Sequence, residues 1–252
     1  MLELINVSAG YGTGNVIHDI NMVFPDGESW CLLGPNGCGK TTLLRCAARL
    51  LPCEGQVLID GRDISGMKRR QLASRIALMS QVNSVYFPYT VYDTVMLGRY
   101  QHTSARLFGG ASAADKEAVE RCLETTGLSG LRNRLLNELS GGQLQRVFLA
   151  HTLAQEPDII LLDEPTNHLD VKHQAELTDH LHEWCSDGKR AVIGVFHDIN
   201  LALRLSRKAV FMNEGRILGA GDFRDIADKD FLKDVYGMDI FGFMRESLSF
   251  WQ

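Results

Sequence analysis

Three short stretches of this chain carry residue types whose spacing suits phosphate chemistry. The first is Gly34-Pro35-Asn36-Gly37-Cys38-Gly39-Lys40-Thr41, set between an apolar run, Trp30 to Leu33, and an amphipathic segment, Thr42 to Leu51. Backbone N–H groups wrap phosphate oxygens only where no Cβ intrudes, and glycine reaches the positive φ that such a loop needs. The helix that follows points its positive end at the anion. Lys40 is expected to reach the β- and γ-phosphates of a nucleoside triphosphate, and the Thr41 hydroxyl to ligate the bridging Mg²⁺, with Thr42 beside them.

The second stretch, Ile159-Ile160-Leu161-Leu162-Asp163-Glu164, is an apolar run ending in two acids. Four apolar residues in a row fit a central parallel strand, and in doubly wound sheets ligands gather at the carboxyl ends of strands. Two acids there are ordinarily solvated surface; downstream of a phosphate loop they have a task. Asp163 is expected to hold Mg²⁺, and Glu164 to orient and deprotonate an attacking water. In the third, Leu139-Ser140-Gly141-Gly142-Gln143, Ser140 can cap the amphipathic helix that follows while free N–H groups at its start offer a second anion site. One helix start cannot serve a phosphate already cradled by Gly34 to Thr41 unless the fold brings the two together.

Strand and helix periods alternate around these stretches in the manner of a parallel sheet. Strands are expected at Leu2 to Ser8, Asn21 to Phe24, Ser29 to Leu33, Val57 to Asp60, Ile76 to Ser80, Ile159 to Leu162, Val192 to Val195 and Val210 to Met212. From about Tyr86 to Gln155 the strand signals stop and glycine-bounded helical patterns take over. The fold class is therefore α/β: a mixed, mainly parallel sheet with helices, an antiparallel β part at its N-terminal end and an inserted α-helical subdomain. The expected division of the single unit 1–252 is a core of 1–85 and 156–220, a helical part 86–155 and a C-terminal helix and tail 221–252.

At 252 residues and 45% hydrophobic content the chain is large enough for a real core. A net charge of −5 with no long basic run argues against nucleic acid as a partner. The six cysteines show no zinc spacing and read as reduced thiols of a cytosolic protein. The opening Leu2-Glu3-Leu4-Ile5-Asn6-Val7 alternates like a strand rather than a signal peptide, and the longest apolar runs fall far below the roughly 20 residues that cross a bilayer. Any membrane association is expected to run through a partner.

With the three motifs in this order, the chain resembles the ATP-binding subunits of ATP-binding-cassette (ABC) transporters over essentially its whole length. The resemblance implies a P-loop NTPase core and a homodimer packed head to tail, in which Ser140, Gly141, Gly142 and Gln143 of one copy close over ATP held by the other. Residue by residue it implies that Tyr11 stacks on adenine, that Gln81 contacts Mg²⁺ and the attacking water, that Asp170 lies in the loop crossing the dimer interface, and that His197 hydrogen-bonds the γ-phosphate. The segment Thr90 to Tyr100 is similar to importers of iron chelates, haem and vitamin B12. This implies polytopic membrane permease subunits docked near Tyr86-Phe87-Pro88-Tyr89, a substrate-binding protein acting through them, and a peripheral place on the cytoplasmic side of the membrane.

Several readings stay open at this level. A soluble ABC-type ATPase for iron–sulfur assembly or ribosome function would keep the motifs without a docking surface, whereas a DNA-repair ATPase would carry a long coiled coil, which is absent. Cys38 stands where the family more often has serine or alanine; beside a helix start and Lys40 it is either a reactive thiolate or a thiol shielded by the loop. His102, His151, His173, His180 and His182 complete no ligand set. Phe231, Tyr236, Met238, Ile240, Phe241, Phe243, Phe250 and Trp251 cover either a sheet edge or a partner.

Overall fold

The computed structural model of the chain describes residues 1–12, 14–80, 88–103, 111–167 and 169–250. Two sheets organise it. In the first, β1 (Leu2–Tyr11) pairs antiparallel with β2 (Gly14–Phe24). Strand β3 (Ser29–Leu33) leaves for the second sheet, and β4 (Glu54–Ile59) returns to the free edge of β1, with the two-residue β5 (Arg62–Asp63) outside it. Alternation along β1, stepped by one residue at the irregularity around Asn6, puts Leu2, Leu4, Val7 and Ala9 inward.

β2 runs far longer than its apolar end, Asn21 to Phe24, suggested. Its pairing with β1 is bulged: Asn6 and Asp19 both have φ of 50°. Side chains supply bonds where the ladder breaks, with Asn21 Oδ1 accepting from the Asn6 N–H and Ser8 Oγ from the Asp19 N–H. Each bulge shifts the inward face by one residue, which hides the strand from a period-two reading.

The second sheet contains β6 (Ile76–Met79), β7 (Ile159–Asp163), β8 (Ala191–Val195), β9 (Lys208–Asn213) and β10 (Arg216–Asp222), in the order β10-β9-β3-β8-β7-β6. Pairings from β9 through β6 are parallel, and β10 closes the edge antiparallel. Every residue of β7 and of β8 is buried, because helices cover both faces. Full burial of each large apolar side chain there contributes about 1.5–3 kcal/mol. On one face, with the first sheet, lies α1 (Lys40–Ala47), contributing Leu43 and Leu44. The short α2 (Arg69–Ala73) leads into β6.

Between β6 and β7 the described chain is helical: α3 (Val91–Leu97), α4 (Tyr100–Thr103), α5 (Ala113–Thr125) and α6 (Gly141–Ala154), with one isolated bridge between Thr90 and Leu135. These helices own a separate core of Val91, Val95, Val119, Leu123, Leu136 and Val147. Thr90, Ser112 and Ser140 each cap a helix by accepting the N–H three residues on. Arg99, 6% exposed, ties the group together: Nε bonds Asp115 Oδ1 at 3.1 Å and Nη1 donates to the Ala154 carbonyl at 2.8 Å. The Asp115 carboxyl is held below the usual carboxylate range by its Ser112 hydrogen bond and by Arg99, against burial.

The opposite face of the sheet packs against α6, α7 (Val171–Trp184) and α8 (Ile199–Leu205). Beyond β10 come α9 (Phe223–Ile226), α10 (Lys229–Tyr236) and α11 (Ile240–Ser249). Of the tail's apolar residues, Phe231 meets Phe211 edge-on at 5.2 Å, and Tyr236 and Ile240 pack on the same core. Met238, Phe241, Phe243 and Phe250 are exposed. β10, with glycine at 219 and 221, carries too little apolar pattern to read as a strand; Gly219 leaves room for the Phe231 ring.

Candidate active site

The carboxyl ends of three adjacent strands deliver the candidate residues. β3 ends at Leu33 and runs into the glycine loop, β8 between β3 and β7 leads to His197, and β7 ends at Asp163 and Glu164. Gly34 has φ of 142°, and a Cβ there would lie 2.0 Å from the Met212 carbonyl; Gly39 has φ of 104°, and its Cβ would meet Ile17 at 2.5 Å. No other residue fits either position. The loop opens into a cavity of about 320 Å³ lined by residues including Asn36, Gly37, Lys40, Thr41, Thr42, Glu164 and His197.

Lys40 is 4% exposed. Its ammonium donates to the carbonyls of Gly34 and Pro35, each at 2.8 Å, and lies 3.7 Å from Cys38 Sγ. Among the described residues no carboxylate forms an ion pair with it. A buried cation held only by neutral carbonyls is costly without an anion, so the cavity suits a phosphate chain.

Thr41 Oγ1 donates to Asp163 Oδ1 at 2.7 Å. Burial raises the Asp163 carboxyl pKa, with the Thr41 bond opposing. Two hard oxygen donors side by side next to the phosphate loop fit Mg²⁺. Beside them, His197 Nε2 lies 2.5 Å from Glu164 Oε1, and Asn167 Nδ2 donates to Glu164 Oε2 at 2.5 Å. Glu164 departs from the strand with φ of 54°.

Other residues singled out in the sequence lie outside this cavity lining. Tyr11, 50% exposed, accepts a bond at its hydroxyl from Arg45 Nη1 at 3.0 Å. Ser140 caps α6, whose exposed start sits near Leu169, 3.4 Å from an added Cβ on Gly142. Asp170 caps α7 and bonds His173 at 2.8 Å. Gln81, Tyr86 and Phe87 lie outside the described residues.

Of the two readings of Cys38, the structure supports the shielded thiol: it is 4% exposed, inside the apolar core, and its carbonyl accepts from the Gly215 N–H. A probe approaching through the cavity meets Asn36 and Gly37 instead. Sequence reasoning missed Asn167, whose only signal is its place three residues after Glu164. It also missed the place of Tyr236, a half-buried side chain beside the Gly34 backbone, whose hydroxyl pKa burial pushes up to about 12.

A glycine loop after one parallel strand and an acid pair after another define a P-loop nucleotide-binding domain. Residues 17–167 match the family model described as ABC transporter. The chain is 41% identical over 92% of its length to the "Probable siderophore transport system ATP-binding protein YusV" of Bacillus subtilis, covering 84% of that protein. It is 37% identical over 92% of its length to the ferric enterobactin transport ATP-binding protein FepC of Escherichia coli, covering 85%. Among solved structures, a dimeric ATP-binding cassette in a post-hydrolysis state with ADP and Pi superposes with a TM-score of 0.78 at 28% identity, over 89% of this chain and 99% of that one. This chain belongs to the ABC transporter family, as an ATP-binding and ATP-hydrolysing cassette.

Proposed function

We propose that this protein is the ATP-hydrolysing subunit of an ABC importer for ferric siderophores. The observation that carries the ATP site is Lys40, a buried cation without a carboxylate partner, sharing one cavity with Thr41, Glu164 and His197. The siderophore cargo rests on the names of the relatives that match nearly the whole chain.

In this reading the N–H groups of Gly34 to Thr41, with Pro35, Cys38 and Thr42 shaping the turn, and the Lys40 ammonium hold the β- and γ-phosphates. Thr41, Asp163 and Gln81 hold Mg²⁺, which neutralises charge on the phosphates when bound. Glu164 takes the proton from the attacking water. His197 donates toward the γ-phosphate, and Tyr11 lays its ring on adenine.

Ser140, Gly141, Gly142 and Gln143 lie outside the lining of their own chain's cavity. They serve the nucleotide of a second copy, with Asp170 in the loop between the two. The helical part 86–155 meets the permease subunits on the cytoplasmic side of the membrane, and a substrate-binding protein delivers the cargo to them. Among the described residues no helix is long and apolar enough to cross a membrane, so attachment runs through those partners.

The test is affinity purification of the tagged chain from gently solubilised membranes, comparing wild type with Glu164→Gln in ATP. The expected outcome is an ATP-dependent dimer for Glu164→Gln that brings down a polytopic membrane protein. Recovery from the soluble fraction with cytosolic assembly factors overturns the importer reading and leaves the ATPase standing.

A further inference from the structure

We infer that Asn167 is a positioning residue for hydrolysis, holding the Glu164 carboxylate from the side opposite His197; the inference rests on the proposed role of Glu164 as the base. The turn carrying Asn167 is anchored from outside. Its Pro165 carbonyl accepts from Gln145 Nε2 of α6, its Thr166 carbonyl accepts from Gln174 Nε2 of α7 at 3.2 Å, and the Asn167 N–H returns to the Glu164 carbonyl at 3.3 Å. These bonds fix the backbone from which the Asn167 amide reaches Glu164 Oε2 at 2.5 Å, while His197 Nε2 stands 2.5 Å from Oε1.

The last torsion of a glutamate is broad, so a carboxylate held by one oxygen still swings. Two contacts on different oxygens fix its plane. Each oxygen has two lone pairs, so the pair of contacts leaves acceptor capacity on both, in a side chain that lines the cavity with Lys40 and Thr41. Asn167 therefore acts on the reaction through Glu164 and without a place in the nucleotide cavity lining. His197 cannot replace it, because its N–H is the donor assigned to the γ-phosphate, and with nucleotide bound Asn167 is the contact that remains on the carboxylate.

A turn-forming role and a donor role make opposite demands. Asp and Asn serve tight turns equally well, but Asp presents only acceptors to the Glu164 carboxylate. The experiment measures steady-state MgATP hydrolysis and nucleotide affinity for the full chain as wild type, Asn167→Ala, Asn167→Asp and Glu164→Gln. The expected result is a fall in kcat of about tenfold or more for Asn167→Ala, an equal or larger fall for Asn167→Asp, and KM within about twofold of wild type in both. In a Glu164→Gln background, Asn167→Ala costs nothing further. Asn167→Ser keeps a hydroxyl donor and falls less than Asn167→Ala; if the Asp variant does not fold, Asn167→Leu, which keeps the bulk and removes the donor, takes its place under the same expectation. Wild-type kcat for Asn167→Asp, or a loss carried by KM, overturns the inference and leaves the reading of Glu164 intact. Wild-type hydrolysis by Glu164→Gln overturns the reading of Glu164 and the inference with it.

Discussion

The Thr41 hydroxyl and the Asp163 carboxylate are 122 residues apart in sequence and 2.7 Å apart in the fold. One opens α1, the other closes β7, and the sheet order places both at the same edge of the phosphate loop. Burial favours the neutral form of Asp163, and the Thr41 bond works against that. A divalent cation beside both oxygens favours the charged carboxylate. Thr41→Val is therefore expected to raise the Mg²⁺ concentration for half-maximal ATP hydrolysis by about tenfold or more, with Thr41→Ser close to wild type. Hydrolysis titrated against Mg²⁺ at saturating ATP checks this; an unchanged midpoint for Thr41→Val would remove Thr41 from the metal site.

Lys40 yields a prediction in which stability and binding part company. Its ammonium is buried against carbonyls of its own loop, so replacing it by an apolar side chain of similar length removes a desolvated charge. Lys40→Met should leave the melting temperature of the nucleotide-free protein unchanged or raise it. Wild type in ATP at about 100 times Kd gains about 2.7 kcal/mol, a rise of about 5–10 °C for a chain this size. The Met variant should show no such rise, and thermal melts with and without ATP read both halves.

What was legible in the sequence was what depends on local residue type. The glycines at 34 and 39 could be read because a loop that turns with φ of 142° and 104° calls for glycine by residue type, which the spacing displays. β7 could be read because a strand buried on both faces must be apolar throughout. β2 could not, because its bulges move the inward face along the strand and hand two ladder bonds to Asn21 and Ser8.

The site shows the same division. Residues inside a motif, Lys40, Thr41, Asp163 and Glu164, declare themselves by spacing. Asn167 does not, since the turn that aims its amide at the Glu164 carboxylate is held by bonds from α6 and α7. Burial of Cys38 was equally hidden: helix start and lysine are local facts, while the core that encloses the thiol comes from other strands.

His151 links α6 to α3 and supplies a pH dependence whose sign follows from its surroundings. Nδ1 lies 2.9 Å from the Thr94 carbonyl, so that nitrogen carries the proton of a neutral ring, and burial lowers the pKa from the ordinary 6.5 against the pull of that bond. A histidine with a depressed pKa in the folded state binds fewer protons there than in the unfolded chain, so stability falls as pH drops below 6.5. The slope reaches at most about 1.4 kcal/mol per pH unit for one proton. Asp115, whose pKa is depressed from 3.8, adds its own loss only at lower pH. Asp163, raised from 3.8, opposes the trend in part. Comparison with His151→Asn cancels that term, because the Asn amide nitrogen stands in for Nδ1, keeps the donor to Thr94 and cannot titrate. Urea unfolding of both proteins between pH 4.5 and 7.5, a range set about the ordinary histidine value, should show wild type losing stability relative to His151→Asn as pH falls. A constant difference across that range would mean that His151 is protonated alike in the folded and unfolded chain, and that the α3–α6 contact does not depend on a neutral ring.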